Sequence, residues 1–155
     1  MVAASRRARG FTLIELMIVV ALVAVAAGVV SLALRDPAAT RLETEAQRLS
    51  ALLESARAES RVSGLTVIWL PLDEQAEADF RFVQQSGANT RPMPLPTRWL
   101  QPQVRAEVIG AKSVQLGPEP LIGAQRIVLR LDDRRLVLAT DGLGPFAVER
   151  GEAGP

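Results

Sequence analysis

The clearest hydrophobic pattern is an almost unbroken apolar run near the N-terminus. Residues 11–34 form 24 positions, of which 20 are Ala, Val, Ile, Leu, Met or Phe. As a helix that rises about 1.5 Å per residue, this run would extend about 36 Å, which exceeds the roughly 30 Å hydrocarbon core of a bilayer. The pattern therefore predicts a single transmembrane helix over residues 11–34.

The charges on either side of the apolar run predict its orientation. Residues 1–10 contain three arginines, whereas only Arg35 and Asp36 directly follow the run. Because arginine and lysine are retained on the cytoplasmic side, we expect a cytoplasmic N-terminus. In a bacterial cell the remainder of the chain would then lie in the periplasm.

A second helical pattern covers residues 35–63. Asp36 is a good N-cap residue, and Pro37 suits the first position of a helix. Apolar residues then recur at spacings of four and three, which forms one stripe along a helix. The stripe consists of Leu42, Ala46, Leu49, Leu53 and Ala56. We predict an amphipathic helix whose stripe packs against the domain that follows.

After Gly64 the hydrophobic period changes to two, which indicates β-strands. Candidate strands cover 65–70, 79–84, 104–109, 113–116, 126–131, 135–140 and 146–149. Asp132-Asp133-Arg134 predicts a hairpin turn, and the prolines of 86–97 and 117–123 predict loops. Residues 64–155 are therefore predicted to form an antiparallel β domain, which gives the whole chain an α+β fold.

The composition excludes several classes of chemistry. The chain has no cysteine, histidine or tyrosine, so it cannot form disulfides, cysteine or histidine zinc sites, or histidine-dependent nucleophilic triads. Asp132, Asp133 and Asp141 are the candidates for calcium, but their loops lack the alternating oxygen ligands of a calcium site. We expect no enzyme activity, no catalytic residue, no cofactor and no metal site.

The net charge gives little support to nucleic acid as a partner. It is +1 for the whole chain and becomes −2 without the three arginines of residues 1–10. Binding to phosphates requires clustered lysine or arginine, and residues 149–152 at the C-terminal end hold no such cluster.

Glu15 is the one ionisable residue within the apolar run. A carboxylate inside a membrane costs about 3 kcal/mol, whereas the large apolar residues of the run return about 7 kcal/mol in total. Insertion therefore tolerates Glu15 but gains nothing from it. The run contains no Lys, Arg or His, so a counter-charge would come from another chain or from an α-amine made by cleavage just upstream.

The segment from Gly10 to Leu16, Gly-Phe-Thr-Leu-Ile-Glu-Leu, closely resembles the class III signal of type IV pilin-like proteins. The resemblance implies that prepilin peptidase/methyltransferase cuts between Gly10 and Phe11 and then methylates the new amine of Phe11. It also implies that Glu15 is the assembly glutamate, which pairs with the Phe11 amine of a neighbouring subunit. Such a pair would favour one axial offset between packed apolar helices.

Two other interpretations of the N-terminus are open. A secretory signal peptide could end at Ala24-Val25-Ala26, which would make Ala27 the first residue of the mature protein. A plain single-pass anchor would hold a periplasmic domain that never enters a filament. The length of the apolar run and the position of Glu15 favour the pilin-like interpretation.

Segments further along the chain resemble particular classes within the type IV pilin-like proteins. The run Ala56-Arg57-Ala58-Glu59-Ser60, the apolar strand 126–131 and the run 140–146 are similar to the GspH class of minor pseudopilins of type II secretion, and to FimT-type minor pilins. The resemblance implies a pilin-like fold and a structural subunit at the tip of a pseudopilus. The alternative is a FimT-type minor pilin of a type IV pilus or a DNA-uptake machine.

The same resemblance implies a location and a set of partners. The protein would be a single-pass protein of the bacterial inner membrane that enters a periplasmic pseudopilus. Its partners would be the prepilin peptidase, the other minor pseudopilins, the major pseudopilin and the inner-membrane secretion platform. Secreted proteins or the outer-membrane channel would be further partners.

Overall fold

The structure is a computed structural model, and it describes residues 11–33 and 36–149. The chain divides into two compact units, Met1–Asp36 and Pro37–Pro155. The first contains helix α1, Leu13–Ala33, and the second contains helix α2, Pro37–Ser63, followed by eight strands. The prediction of an N-terminal helix followed by an antiparallel β domain is confirmed.

Helix α1 begins at a well-formed N-cap. The backbone N–H of Glu15 donates to Thr12 Oγ1 over 3.3 Å, and the N–H of Leu16 donates to the Thr12 carbonyl over 3.1 Å. The side chain of Thr12 thus satisfies the N–H of Glu15, which has no partner within the helix, while its carbonyl accepts the first intrahelical bond.

Among the residues that the structure describes, none of the helices combines the length and the apolar character that crossing a membrane requires. The transmembrane helix over residues 11–34 stays a prediction.

Helix α2 buries the stripe that its sequence predicts. Leu42, Ala46, Leu49, Leu53 and Ala56 are each at most 2% exposed. The same face also buries three polar side chains, those of Glu45, Arg57 and Ser60, which the apolar spacing alone does not reveal. The helix ends at Ser63, and the N–H of the next residue, Gly64, donates to the Ser60 carbonyl over 2.9 Å.

The strands form two four-stranded antiparallel sheets. The first, sheet A, contains β1 Thr66–Pro71, β2 Phe80–Ser86, β3 Asn89–Pro92 and β5 Val114–Gln115, in the order β3-β2-β1-β5. The second, sheet B, contains β4 Arg105–Val108, β6 Gln125–Leu131, β7 Arg134–Thr140 and β8 Ala147–Val148, in the order β4-β6-β7-β8. The hairpin predicted around Asp132-Asp133 is confirmed, because Leu131 pairs with Arg134.

Strand β3 corrects the predicted loop over residues 86–97. Asn89 pairs with Ser86, and Pro92 pairs with Val83 at the edge of sheet A. The N–H of Met93, the next residue, donates to β2, so position 92 directs its nitrogen away from the sheet. A proline is tolerated there because an outward position on an edge strand needs no donor.

The opposite edge of sheet A is closed by a side chain. Gln125 Oε1 accepts from the backbone N–H of Gln115 over 2.9 Å, and Gln125 Nε2 donates to the Gln115 carbonyl over 2.9 Å. The amide of Gln125 thus pairs with β5 as a peptide unit of a neighbouring strand would.

The core lies between α2 and the inward faces of both sheets. Along β6, Ile127 and Leu129 point into the core and are fully buried, while Arg126 and Arg130 are exposed on the opposite face. Val128 lies between the two arginines on that face and is 7% exposed. An aromatic cluster fills the part next to sheet A, with the ring of Phe80 contacting those of Trp69, Phe82 and Trp99 at centroid distances of 6.1, 6.0 and 4.6 Å. All the core residues belong to the second unit.

Candidate functional site

The predicted processing and assembly residues lie at the start of α1. Phe11 directly precedes the N-cap residue Thr12, and its side chain is exposed. Gly10 lies outside the described residues, so of the two residues that flank the predicted scissile bond the structure describes Phe11. Cleavage at this bond, and methylation of Phe11, stay predictions.

Glu15 occupies the third position of α1, in the first turn. Thr12 and Glu15 have the spacing of a capping box, in which a threonine at the N-cap is followed three residues later by a glutamate. The carboxylate also lies near the positive end of the helix dipole, where negative charge is favoured. Local helix physics therefore gives Glu15 a favourable position within a single chain, and its role in assembly stays a prediction.

The large apolar side chains of α1 between Leu13 and Val25 are exposed. The exposed fractions range from 44% at Val19 to 77% at Leu13. A contiguous apolar surface of this kind marks a site of contact with lipid or with another protein. On one face Leu16, Met17, Val20, Ala21 and Ala24 line a shallow cavity of about 290 Å³.

Small residues on that face allow a second helix to approach. Ala21 and Ala24 contribute little side-chain volume, and backbones can come close where such residues line an interface. The face therefore has the shape that helix-to-helix packing needs.

In the second unit, Arg57 joins two distant loops to α2. Its guanidinium is buried, and Nη2 donates to the carbonyl oxygens of Gly142 and Pro120 over 2.7 and 3.1 Å. Nη1 donates to the Gly144 carbonyl over 2.9 Å and lies 4.0 Å from Glu54 Oε1. The carbonyl oxygens compensate much of the cost of burying the charge.

Two more side chains of α2 hold the start of the last strand. Ser50 Oγ donates to the Phe146 carbonyl, and Glu54 Oε1 accepts from the Phe146 N–H over 3.4 Å. Ser50, Glu54 and Arg57 share one helix face because they are four and three residues apart. We call residues 140–146, which this face holds, the clamped turn.

The clamped turn is also braced from within. Thr140 Oγ1 donates to the Gly144 carbonyl over 2.8 Å and accepts from the Gly142 N–H over 2.9 Å. Asp141 Oδ1 accepts from the N–H groups of Gly144 and Leu143 over 2.8 and 2.9 Å. These bonds, that of Gly144 first, hold the pKa of Asp141 below its usual value.

The structure separates the aspartates considered for calcium. Asp132 and Asp133 form the turn between β6 and β7, whereas Asp141 follows the far end of β7. In the part of the chain that the structure describes, no three acidic side chains come together in a way that could hold a metal ion.

A local motif indicates Phe11 and Glu15, whereas the apolar spacing along α2 gives no sign that Arg57 is buried. The carbonyl oxygens that Arg57 binds lie 63 to 87 residues further along the chain. The available signal was the likeness of two runs, 56–60 and 140–146, to one family. The structure shows that these two runs contact each other.

The comparisons with known proteins bear on the N-terminus. A family model described as the prokaryotic N-terminal methylation motif matches residues 5–31. No curated protein and no solved structure matches the chain. The matched segment includes Phe11, Glu15 and most of α1, and it includes none of the β domain.

The motif supports a type IV pilin-like protein or pseudopilin that is a substrate of prepilin peptidase and assembles with other pilins. It also indicates a membrane-anchored N-terminus. The motif is shared by the GspH and FimT classes, so it does not distinguish between them.

Proposed function

We propose that the protein is a minor pseudopilin of the type II secretion system, of the GspH class. In this proposal it is a structural, non-enzymatic subunit at the tip of the pseudopilus that supports protein export. The observation that carries the proposal is the N-terminal methylation motif at residues 5–31, which begins within a basic leader and continues into α1.

The proposed pathway starts at the inner membrane. Residues 11–34 hold the chain there with the N-terminus cytoplasmic, and prepilin peptidase cuts before Phe11 and methylates it. The exposed apolar surface of α1 then leaves lipid for contacts with the helices of neighbouring subunits. Glu15 pairs with the α-amine of a neighbour, since an unpaired charge in an apolar assembly is costly.

The contacts of Arg57 support the assignment to the GspH and FimT group. Two sequence runs that separately resemble this group meet in the structure, where Arg57 of the first binds Gly142 and Gly144 of the second. A shared contact explains why both runs occur together. The secretion assignment is preferred over a DNA-uptake pilin because the processed chain has a net charge of −2, which disfavours binding to phosphates.

Mass spectrometry of the protein from its native membranes tests the processing step. We expect an N-terminus at Phe11 that carries one methyl group, and an uncut chain when Gly10→Val blocks the peptidase. A mature start at Ala27, or an uncut wild-type chain, would contradict the proposal.

Crosslinking in the same membranes tests whether the protein belongs to a type II secretion system or to a type IV pilus. We expect crosslinks from the processed protein to other pseudopilins and to the secretion platform. Crosslinks to type IV pilus subunits alone would favour the FimT-type alternative.

A further inference from the structure

An open groove of about 590 Å³ lies on the face of sheet B that points away from α2. Ile127 and Leu138 on β6 and β7 point into the core, so the alternating residues Arg126 and Ala139, which pair with each other, point to the opposite face. The groove extends from this pair to the clamped turn. We call it the outer groove.

The lining of the outer groove includes four apolar residues. Two of them are small, Ala124 and Ala139, and two are larger, Ile109 and Pro145. An alanine leaves more space above a sheet than a longer side chain would. A space of this size accommodates one or two side chains of an extended peptide.

The charged groups of the outer groove are two carboxylates and one guanidinium, those of Asp141, Glu149 and Arg126. Arg126 Nη2 lies 3.2 Å from Glu149 Oε1, and both side chains are largely exposed. An exposed pair of this kind is weak, so it can rearrange when another charged group arrives. The lining is left with one excess negative charge.

Asp141 is fixed in place at one end of the groove. Its Oδ1 accepts from two backbone N–H groups, and its side chain is exposed. The hydrogen bonds hold the carboxylate at a set position without withdrawing it from solvent. It can therefore receive a cationic group without first being ordered.

We propose that the outer groove binds an extended peptide segment of a partner protein through an arginine or lysine side chain. The aliphatic stem of that side chain lies on Ala124 and Ala139, while its cationic end meets Asp141 and Glu149. Long basic side chains combine an apolar stem with a charged head, which matches a lining that combines small apolar residues with two carboxylates. The proposal concerns the β domain alone and does not depend on the proposed function.

Fluorescence anisotropy on the purified full chain in a neutral detergent tests the peptide preference. The probes are labelled hexapeptides of sequence GALRAG, GALQAG and GALEAG. We expect the arginine peptide to bind at least about threefold more tightly than the glutamine peptide, and more weakly as salt is added. The glutamate peptide should bind least.

Two variants with matched controls locate the binding. Asp141→Asn keeps the oxygen that accepts the backbone N–H groups but removes the charge. It should lower the affinity for the arginine peptide about three- to fivefold. Ala139→Leu fills the groove and should lower the affinity for the same peptide about tenfold. Asp133→Asn, at the other end of sheet B, and Ala58→Leu, on the exposed face of α2, should change nothing.

Three results would overturn the proposal. The first is the absence of binding of the arginine peptide up to about 1 mM. The second is equal binding of the arginine and glutamate peptides. The third is binding that neither Asp141→Asn nor Ala139→Leu weakens while both variants keep the thermal stability of the wild type.

Discussion

Arg57 Nη2 and the carbonyl oxygen of Gly142 lie 2.7 Å apart, although 85 residues separate them in the chain. Through this bond the last turns of α2 fix the position of the clamped turn. The buried guanidinium supplies a charged donor to the carbonyl oxygens that it binds. The Gly144 carbonyl also accepts from Thr140 Oγ1, and the Gly142 carbonyl accepts from the Ile122 N–H over 3.4 Å, so the loss of Arg57 would weaken their hydrogen bonding without removing it.

Replacement of Arg57 by methionine should destabilise the β domain. The change removes the three charge-assisted hydrogen bonds to the carbonyl oxygens of Gly142, Gly144 and Pro120, which should cost about 2–4 kcal/mol. Urea unfolding of a fragment that starts at residue 36 measures the loss. Arg61→Met, on the exposed part of α2, is the control, and an equal effect of both variants would contradict the role given to Arg57.

Replacement of Gly142 by alanine should destabilise the β domain more than replacement of Gly87, which also has a positive φ. Gly142 has φ of 95°, and a Cβ there would lie 2.7 Å from the Gly123 carbonyl oxygen. We expect a loss of about 2–4 kcal/mol, because conformational strain and a backbone clash add.

Gly87→Ala is the matched control for Gly142→Ala. Gly87 has φ of 58° in the turn between β2 and β3, and a Cβ there would meet nothing within 4 Å. Strain alone should cost about 1 kcal/mol. Thermal unfolding of the two variants compares the costs, and a larger loss for Gly87→Ala would show that the clash with Gly123 is not important.

Replacement of Glu15 by leucine should leave membrane insertion intact and weaken assembly. The change removes the charge that is proposed to pair with a neighbouring α-amine, while it makes the helix more apolar. Pull-down of pilin-like partners from detergent extracts measures the effect, with Met17→Leu as the control. Recovery of the same amount of partner with Glu15→Leu would refute a role in subunit register.

The stability of the β domain should fall in acid partly through Asp141. The backbone N–H groups of Gly144 and Leu143 hold its pKa below the usual value of an aspartate, so its contribution is complete above the pKa of the unfolded chain and is lost as the pH falls through the folded pKa. Between pH 5 and pH 2 the wild type should therefore lose more stability than Asp141→Asn, which does not titrate. Parallel denaturation curves at each pH would show whether the two proteins instead lose stability equally.

Local signals predicted the elements whose partners are close in sequence. The spacing of Leu42 to Ala56 gave the buried stripe of α2, and two adjacent aspartates gave the turn between β6 and β7. The division into two sheets was not predictable in this way, since β4 pairs with β6 and β1 pairs with β5 across long connections.

The residues of the candidate site also differ in whether they are close together in the sequence. Phe11, Thr12 and Glu15 lie within five consecutive residues, so a short motif reveals them. The clamped turn and the outer groove depend on residues that meet only after the strands have paired. Strand β3 was missed for a related reason, because proline forbids an inner strand but not the outward position of Pro92.

The side chain of Gln125 has a consequence for how this protein can join others. By occupying the free backbone groups of Gln115, it ends sheet A within the molecule at that border. A second copy of the chain therefore cannot add a strand to sheet A through the backbone of Gln115 unless the amide of Gln125 first leaves it. Any contact that another molecule makes at this border falls to side chains.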